Sequence, residues 1–289
     1  MTDNLDYTWI KKRRELLAYL ETLDEQKVSV IALDIEAELN LHAYGETLCL
    51  VQIFDGAKLV LIDPLEIDKH TLKLFFESRN ILKIVYDASS DSSLMKNSYN
   101  IEMKSLLDLR PAVELLDYEK KDLHSVIAAE LGVNLNHKEK YQRYNWTRRP
   151  FDKEAIAYAL NDVIYLFKLK DALFSKLFAR NLLDVFILKN LQVQNKDYTR
   201  NPADRYLRMK GYHALTAGEK SVFRKLFDVR EKYAKMANMP SYNVIRREDL
   251  LEIARGLKQI DEIRFSTRLN PDFIQRMVIE LKSVGKTGK

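Results

Sequence analysis

The sequence predicts an α/β domain with a mixed sheet, followed by a smaller all-helical domain. Three observations point there. Short apolar runs separated by turn residues fill the stretch from residue 28 to residue 62. Strand-like and helix-like patterns then alternate. Beyond the polar stretch "NKDYTRNPADR", Asn195 to Arg205, only helical periodicity remains.

Each element has its own signal. "VSVIALDIEAELN", Val28 to Asn40, opens as a buried strand. "TLCLVQIFD" and "KLVLIDP" read as two more strands, split by "DGAK" with Asp55-Gly56 at a hairpin turn. Residues 66–79 read as a helix, and "ILKIVYDA" as the buried strand after it. A short helix is expected from Ser90 to Tyr99, and "SLLDL" as a fifth strand. From there to about Phe186 the pattern is helical. The expected division is residues 1–195 for the α/β domain and 196–289 for the helical one.

Composition narrows the class. The chain has 289 residues, 46% apolar and 31% charged, as soluble globular proteins do. No apolar run approaches the roughly 18 residues that a membrane span needs. The first residues, "MTDNLDYTWIKKRRELLAYL", hold no uninterrupted apolar core before a cleavage site, so no signal peptide is expected. The single cysteine, Cys49, excludes an internal disulfide. The expected location is the cytoplasm. The net charge of +5 is uneven: from Lys196 onward there are 21 Lys and Arg against 12 Asp and Glu, leaving 26 against 30 before it. A basic tail on an acidic body reads either as a polyanion-binding appendage or as a solvated helical domain.

The acidic residues carry the chemical signal. Side chains alternate along a strand, so Asp34, Glu36 and Glu38 would share one face, with Ile35 and Ala37 on the other. Glu38 reads as a solvated continuation of the strand. Asp91 follows "ILKIVYDA" in a Ser-rich turn that opens a helix, with Asp87 as its competitor. Tyr158 and Asp162 stand four apart in "AIAYALNDVIYLF" and share a helix face. Acids gathered from separate elements repel unless a cation neutralises them, and hard divalent cations prefer oxygen ligands. Each piece also has an ordinary reading: an exposed edge-strand face, a helix N-cap, a core tyrosine. His42, His70, His124, His137 and His213 show no metal-ligand spacing and receive no role, and "KKRR", Lys11 to Arg14, reads as a solvated helix face.

In this order, the motifs resemble those of the DEDD exonucleases, whose fold is ribonuclease H-like. Asp34-Ile35-Glu36 matches their first motif, Asp91 in "IVYDASSDSSLM" the second, and Tyr158 with Asp162 the third. Within that group the chain is similar to ribonuclease D through "LCLVQIFD", "LVLIDPL", "ILKIVYDASSD", "WTRRPF" and "YALNDVIYL", between about residues 28 and 170. Ala157 stands where a sister group has histidine, which puts the chain in the tyrosine (DEDDy) class. The resemblance implies that Asp34, Glu36, Asp91 and Asp162 hold two divalent ions, Mg²⁺ first and Mn²⁺ as the alternative. Tyr158 would orient the water that releases a nucleotide from the 3′ end. The chain departs from the family in the loop "NLNHKEKYQRYN", which is about two residues longer and leaves open whether Lys138 or Lys140 replaces the family's lysine.

The tail, from "DRYLRMKGYHALTAGEK" to "LLEIA", resembles the start of an HRDC domain, a small helical bundle that holds nucleic acid. That likeness implies phosphate contacts from Arg205, Arg208, Lys210, Arg224 and Lys225. Trp146, Arg148 and Arg149 are candidates for gripping the nucleic-acid end, with a core role as the alternative for Trp146. The expected activity is a 3′–5′ exoribonuclease acting on transfer RNA precursors or other structured RNA. The alternatives are a DNA exonuclease and a catalytically silent nucleic-acid-binding module. A monomer with no membrane partner is expected.

Overall fold

The computed structural model describes residues 5–135, 138–201 and 204–285. Its contacts divide the chain into two compact units. One comprises Met1–Ala37 with Thr47–Thr199; the other comprises Glu38–Glu46 with Arg200–Lys289.

The first unit begins with β1 (Tyr7–Ile10), α1 (Arg13–Glu25), β2 (Val30–Leu39), β3 (Glu46–Phe54) and β4 (Leu59–Ile62). It continues through α2 (Lys69–Phe76), β5 (Leu82–Val85), α3 (Ser89–Leu94), β6 (Leu106–Asp108) and α4 (Arg110–Leu115). The helices α5 (Leu123–Leu131), α6 (Lys138–Gln142), α7 (Lys153–Ile164), α8 (Leu166–Ala179) and α9 (Leu183–Asn195) follow. The strands form one six-stranded sheet in the order β1-β4-β3-β2-β5-β6. β3 and β4 pair antiparallel, while β1 with β4, β2 with β5, and β5 with β6 pair parallel, so the sheet is mixed.

The hairpin forms where Asp55-Gly56 places it. Asp55 Oδ1 accepts the backbone N–H groups of Ala57 and Lys58 at 2.9 and 2.7 Å, and Gly56 takes the positive φ of 95° that the turn requires. β1 has no counterpart in the sequence reading. "YTWI" is four residues long and lacks turn punctuation; its strand state comes from register with β4, Tyr7 opposite Leu59 through Ile10 opposite Ile62.

The sheet is covered on both faces. Leu16 and Leu23 of α1, with Leu72, Phe75 and Phe76 of α2, pack against Ile31, Leu33, Val51 and Ile53. Ala112, Val126, Ala159, Leu160, Val163 and Leu173, from α4, α5, α7 and α8, pack on the other side against Ala32, Leu50 and Ile84. At about 25 cal/mol per Å² of apolar surface removed from water, these two cores supply the dominant stabilisation of the unit.

The second unit is helical: α10 (Asp204–Leu207), α11 (Ala217–Met236), α12 (Ser241–Val244), α13 (Arg247–Ala254) and α14 (Pro271–Gly285). A capping box starts α11, in which Glu219 N–H donates to Thr216 Oγ1 at 3.3 Å and Thr216 N–H to Glu219 Oε2 at 2.7 Å. Phe223, Leu226, Leu250, Met277 and Leu281 are among its core residues. Among the described residues, no helix is long and apolar enough to cross a membrane.

One sequence expectation is corrected here. Glu38 is not solvated but 2% exposed. Its carboxylate accepts the backbone N–H of Leu41 and of His42, the latter at 2.8 Å, and lies 3.1 Å from His42 Nδ1. It closes the turn after β2, where Asn40 has a left-handed φ of 62°.

Candidate active site

Strand alternation in β2 decides where the acids point. Ile31, Leu33 and Ile35 enter the core beneath α1 and α2, whereas Ala32 enters the core that α7 covers. Asp34 and Glu36 keep step with Ala32 and therefore project toward α7. That helix buries Ala155, Ala159, Leu160 and Val163 against the sheet, and the same spacing carries Tyr158 and Asp162 inward one turn apart. As a result, carboxylate oxygens of Asp34, Glu36 and Asp162 lie within 4.8 Å of one another.

Asp91 completes the set electrostatically, from the first turn of α3 rather than from its N-cap, which is Ala88. Burial, then the charges of Asp162 and Asp91, hold Asp34 well above the ordinary carboxylate range. Glu36 is raised by burial first, then by Asp34, Asp162 and Asp91. Burial, then Asp87 and Asp108, push Asp91 up to about 7. The Tyr158 hydroxyl is raised by burial, then by Asp162, Glu36 and Asp34, so it keeps its proton at neutral pH and faces the acids.

Two residues to which the sequence reading gave no role hold this arrangement. Asp108, 3% exposed at the end of β6, accepts the N–H groups of Asp87 at 2.8 Å, Ala88 at 3.0 Å and Arg110 at 2.9 Å. It thereby fixes the turn in which Asp87 takes a φ of 60° and from which α3 presents Asp91. Asp87 itself lies 3.8 Å from Arg110. His124, near the start of α5, places Nε2 2.7 Å from Asp162 Oδ1. Neither carries a local motif, because each acts on a residue distant in sequence.

The donors are all carboxylate oxygens, and their mutual repulsion is what a divalent cation relieves; the residues present therefore fit such ions. Residues 7–177 match the model of a family described as 3′–5′ exonuclease. The chain belongs to the 3′–5′ exonuclease family.

Several known proteins are similar to this chain. It is 28% identical over 239 residues to a ribonuclease D of Desulfotalea psychrophila, an alignment covering 79% of this chain and 62% of that one. The chain thus spans about three-fifths of that relative's length. Its fold matches the catalytic core of RRP6 from Trypanosoma brucei with a TM-score of 0.76 at 22% identity, covering 99% of this chain and 81% of that one. It also matches Escherichia coli RNase D, described as an exoribonuclease involved in structured RNA processing, with a TM-score of 0.73 at 23% identity, covering 98% and 75%.

Of the two readings of Trp146, the core one holds. Trp146 is 2% exposed and packs edge-on against Tyr144 and Phe151, so it offers no face to a base. Arg149 is exposed, and its guanidinium is bonded to protein groups. Its Nε and Nη2 donate to the two Asp63 oxygens, Nη2 also reaches Cys49 O at 2.7 Å, and Nη1 reaches Trp146 O at 2.7 Å. Arg148 is exposed. Lys140 pairs with Glu154 Oε2 at 3.0 Å, whereas the Lys138 side chain and His137 lie outside the described residues.

In the helical unit, Arg205 pairs with Glu231 and donates to Tyr44 Oη at 2.9 Å. Arg224 donates to Tyr212 Oη at 2.7 Å. Arg208, Lys210 and Lys225 are exposed.

Proposed function

We propose that the chain is a metal-dependent 3′–5′ exoribonuclease that removes nucleotides singly from RNA 3′ ends, transfer RNA precursors or other structured RNA among them. The observation that carries this reading is the convergence of Asp34, Glu36 and Asp162 within 4.8 Å, with Asp91 close enough to raise two of them. The ribonuclease D names among its relatives support RNA as the substrate.

Asp34, Glu36, Asp91 and Asp162 would hold two divalent ions, Mg²⁺ or Mn²⁺. Bound ions of this kind supply charge neutralisation and Lewis acidity at the terminal phosphodiester. The chain's own residues do the rest. Tyr158, protonated and facing the acids, accepts a hydrogen bond from the attacking water and fixes its direction. Water adds to phosphorus, the bond to the 3′ oxygen breaks, and the products are a 5′-mononucleotide and an RNA shortened by one residue with a 3′-hydroxyl.

The domain assignment follows the same reading: an exonuclease domain over residues 1–195 and an HRDC-like nucleic-acid-binding domain over 196–289. Support for the second comes from its excess of Lys and Arg and from exposed Arg208 and Lys210, suited to phosphate contacts that position without reading sequence.

Digestion of 5′-labelled RNA, and of DNA of the same sequence, tests the proposal. With Mg²⁺, a one-nucleotide ladder on RNA that disappears with chelator and in Asp34→Asn is expected. A ladder confined to DNA would move the enzyme to DNA substrates, and binding without any ladder would leave a silent module.

A further inference from the structure

We infer that His124 is a positioning residue for Asp162, an inference that rests on the proposed cation-holding role of that aspartate. Asp162 is 7% exposed and comes from a helix, while Asp34 and Glu36 come from a strand. The carboxylate that must be brought to the other two therefore sits on an element whose angle to the sheet is set by packing. Something has to fix its plane, because a carboxylate left to its own torsions occupies several orientations.

His124 does this through one contact. Nε2 lies 2.7 Å from Asp162 Oδ1, and both side chains are about one-tenth exposed. With Asp162 ionised, Nε2 carries the hydrogen and donates it. The other ring nitrogen, Nδ1, is buried with no hydrogen-bond partner among the described residues. The imidazole therefore directs its whole polar capacity at Asp162. Its ring also meets Tyr158 edge-on, centroids 5.6 Å apart, so the same side chain borders both functional residues of α7.

The helix that carries His124 is itself held at its start. Asp122 caps α5 by accepting the Ser125 N–H at 3.2 Å. Lys121 O, just before that cap, accepts from Tyr86 Oη at 2.5 Å and from Arg110 Nη1 at 2.9 Å. Tyr86 follows β5, and Arg110 opens α4 directly after the Asp108 turn. The start of α5 is thus tied to the ends of β5 and β6, beside the turn from which α3 presents Asp91, and His124 passes that reference frame to Asp162. Hydrogen bonds of this kind to a metal-ligating side chain typically change metal affinity by roughly 10- to 100-fold.

Calorimetric titration of the full chain with Mg²⁺, without nucleic acid, reads this out, alongside the thermal midpoint in chelator. His124→Leu removes the donor, and His124→Gln places an amide N–H at nearly the reach of Nε2. Expected are a Kd for Mg²⁺ raised roughly 10- to 100-fold in His124→Leu, substantial recovery in His124→Gln, and similar metal-free midpoints. Wild-type affinity in His124→Leu would overturn the inference, as would equal loss in both variants. If His124→Leu does not fold, His124→Asn, a donor too short to reach, takes its place with the same expected loss. No Mg²⁺ binding by the unaltered chain would bring down the cation reading itself and this inference with it.

Discussion

Arg149 grips Asp63 through two parallel bonds, Nε to Oδ2 at 2.6 Å and Nη2 to Oδ1 at 2.9 Å, and its ring-stacked guanidinium lies 3.9 Å from the Phe151 centroid. This clamp joins the segment before α7 to the end of β4, and so helps to seat the helix that carries Tyr158 and Asp162. Arg149→Lys cannot reproduce the fork. Because the pair is partly exposed, a loss of about 2 kcal/mol of unfolding free energy is expected. Urea titration checks it, and RNA affinity of the folded variant should stay within about twofold.

Removing one acid should separate stability from activity. Asp34→Asn takes a charge from a repelling cluster, so the metal-free protein should become more stable, read as a higher thermal midpoint in chelator. Cleavage should fall by on the order of 10³-fold, since each 1.36 kcal/mol of lost transition-state stabilisation is tenfold and the cations supply several kcal/mol. Full activity in the variant would sink the assignment of Asp34.

The raised acids also set a pH dependence. Asp91 titrates near 7 in the fold and near 3.8 when unfolded, and Asp34 and Glu36 are raised as well. The folded state therefore binds more protons between those limits, so metal-free stability should fall as pH rises from about 4 to about 7. Saturating Mg²⁺ should flatten that slope. Chemical unfolding at stepped pH, with and without Mg²⁺, measures both.

Tyr158→Phe keeps the ring contacts with Tyr141 and His124 and removes only the hydroxyl. A drop in rate of at least about 10²-fold is expected, with Mg²⁺ affinity within about threefold of wild type. Single-turnover cleavage and calorimetry separate the two effects.

For the helical unit, Arg208→Ala combined with Lys210→Ala should weaken RNA binding at low salt. The slope of log affinity against log salt should fall by about 1 to 2. An unchanged slope would mean that these exposed cations do not meet phosphate.

The mixed α/β class, the hairpin at Asp55-Gly56 and the acids that come together were legible in the residues alone. These are local matters: period two brings Asp34 and Glu36 to one face, and period 3.6 does the same for Tyr158 and Asp162. The rest depends on how the elements pack. β1 is a strand because β4 lies beside it, and Glu38 is buried because the backbone N–H groups after β2 close over it. Trp146 read equally as a substrate grip or as core, and packing makes it core; Arg149 satisfies Asp63 and three backbone carbonyls. His124 is separated from Asp162 by 38 residues of sequence and 2.7 Å of space. Spacing along the chain reports which side chains share an element's face; which distant partner saturates a buried polar group is fixed only when the elements pack.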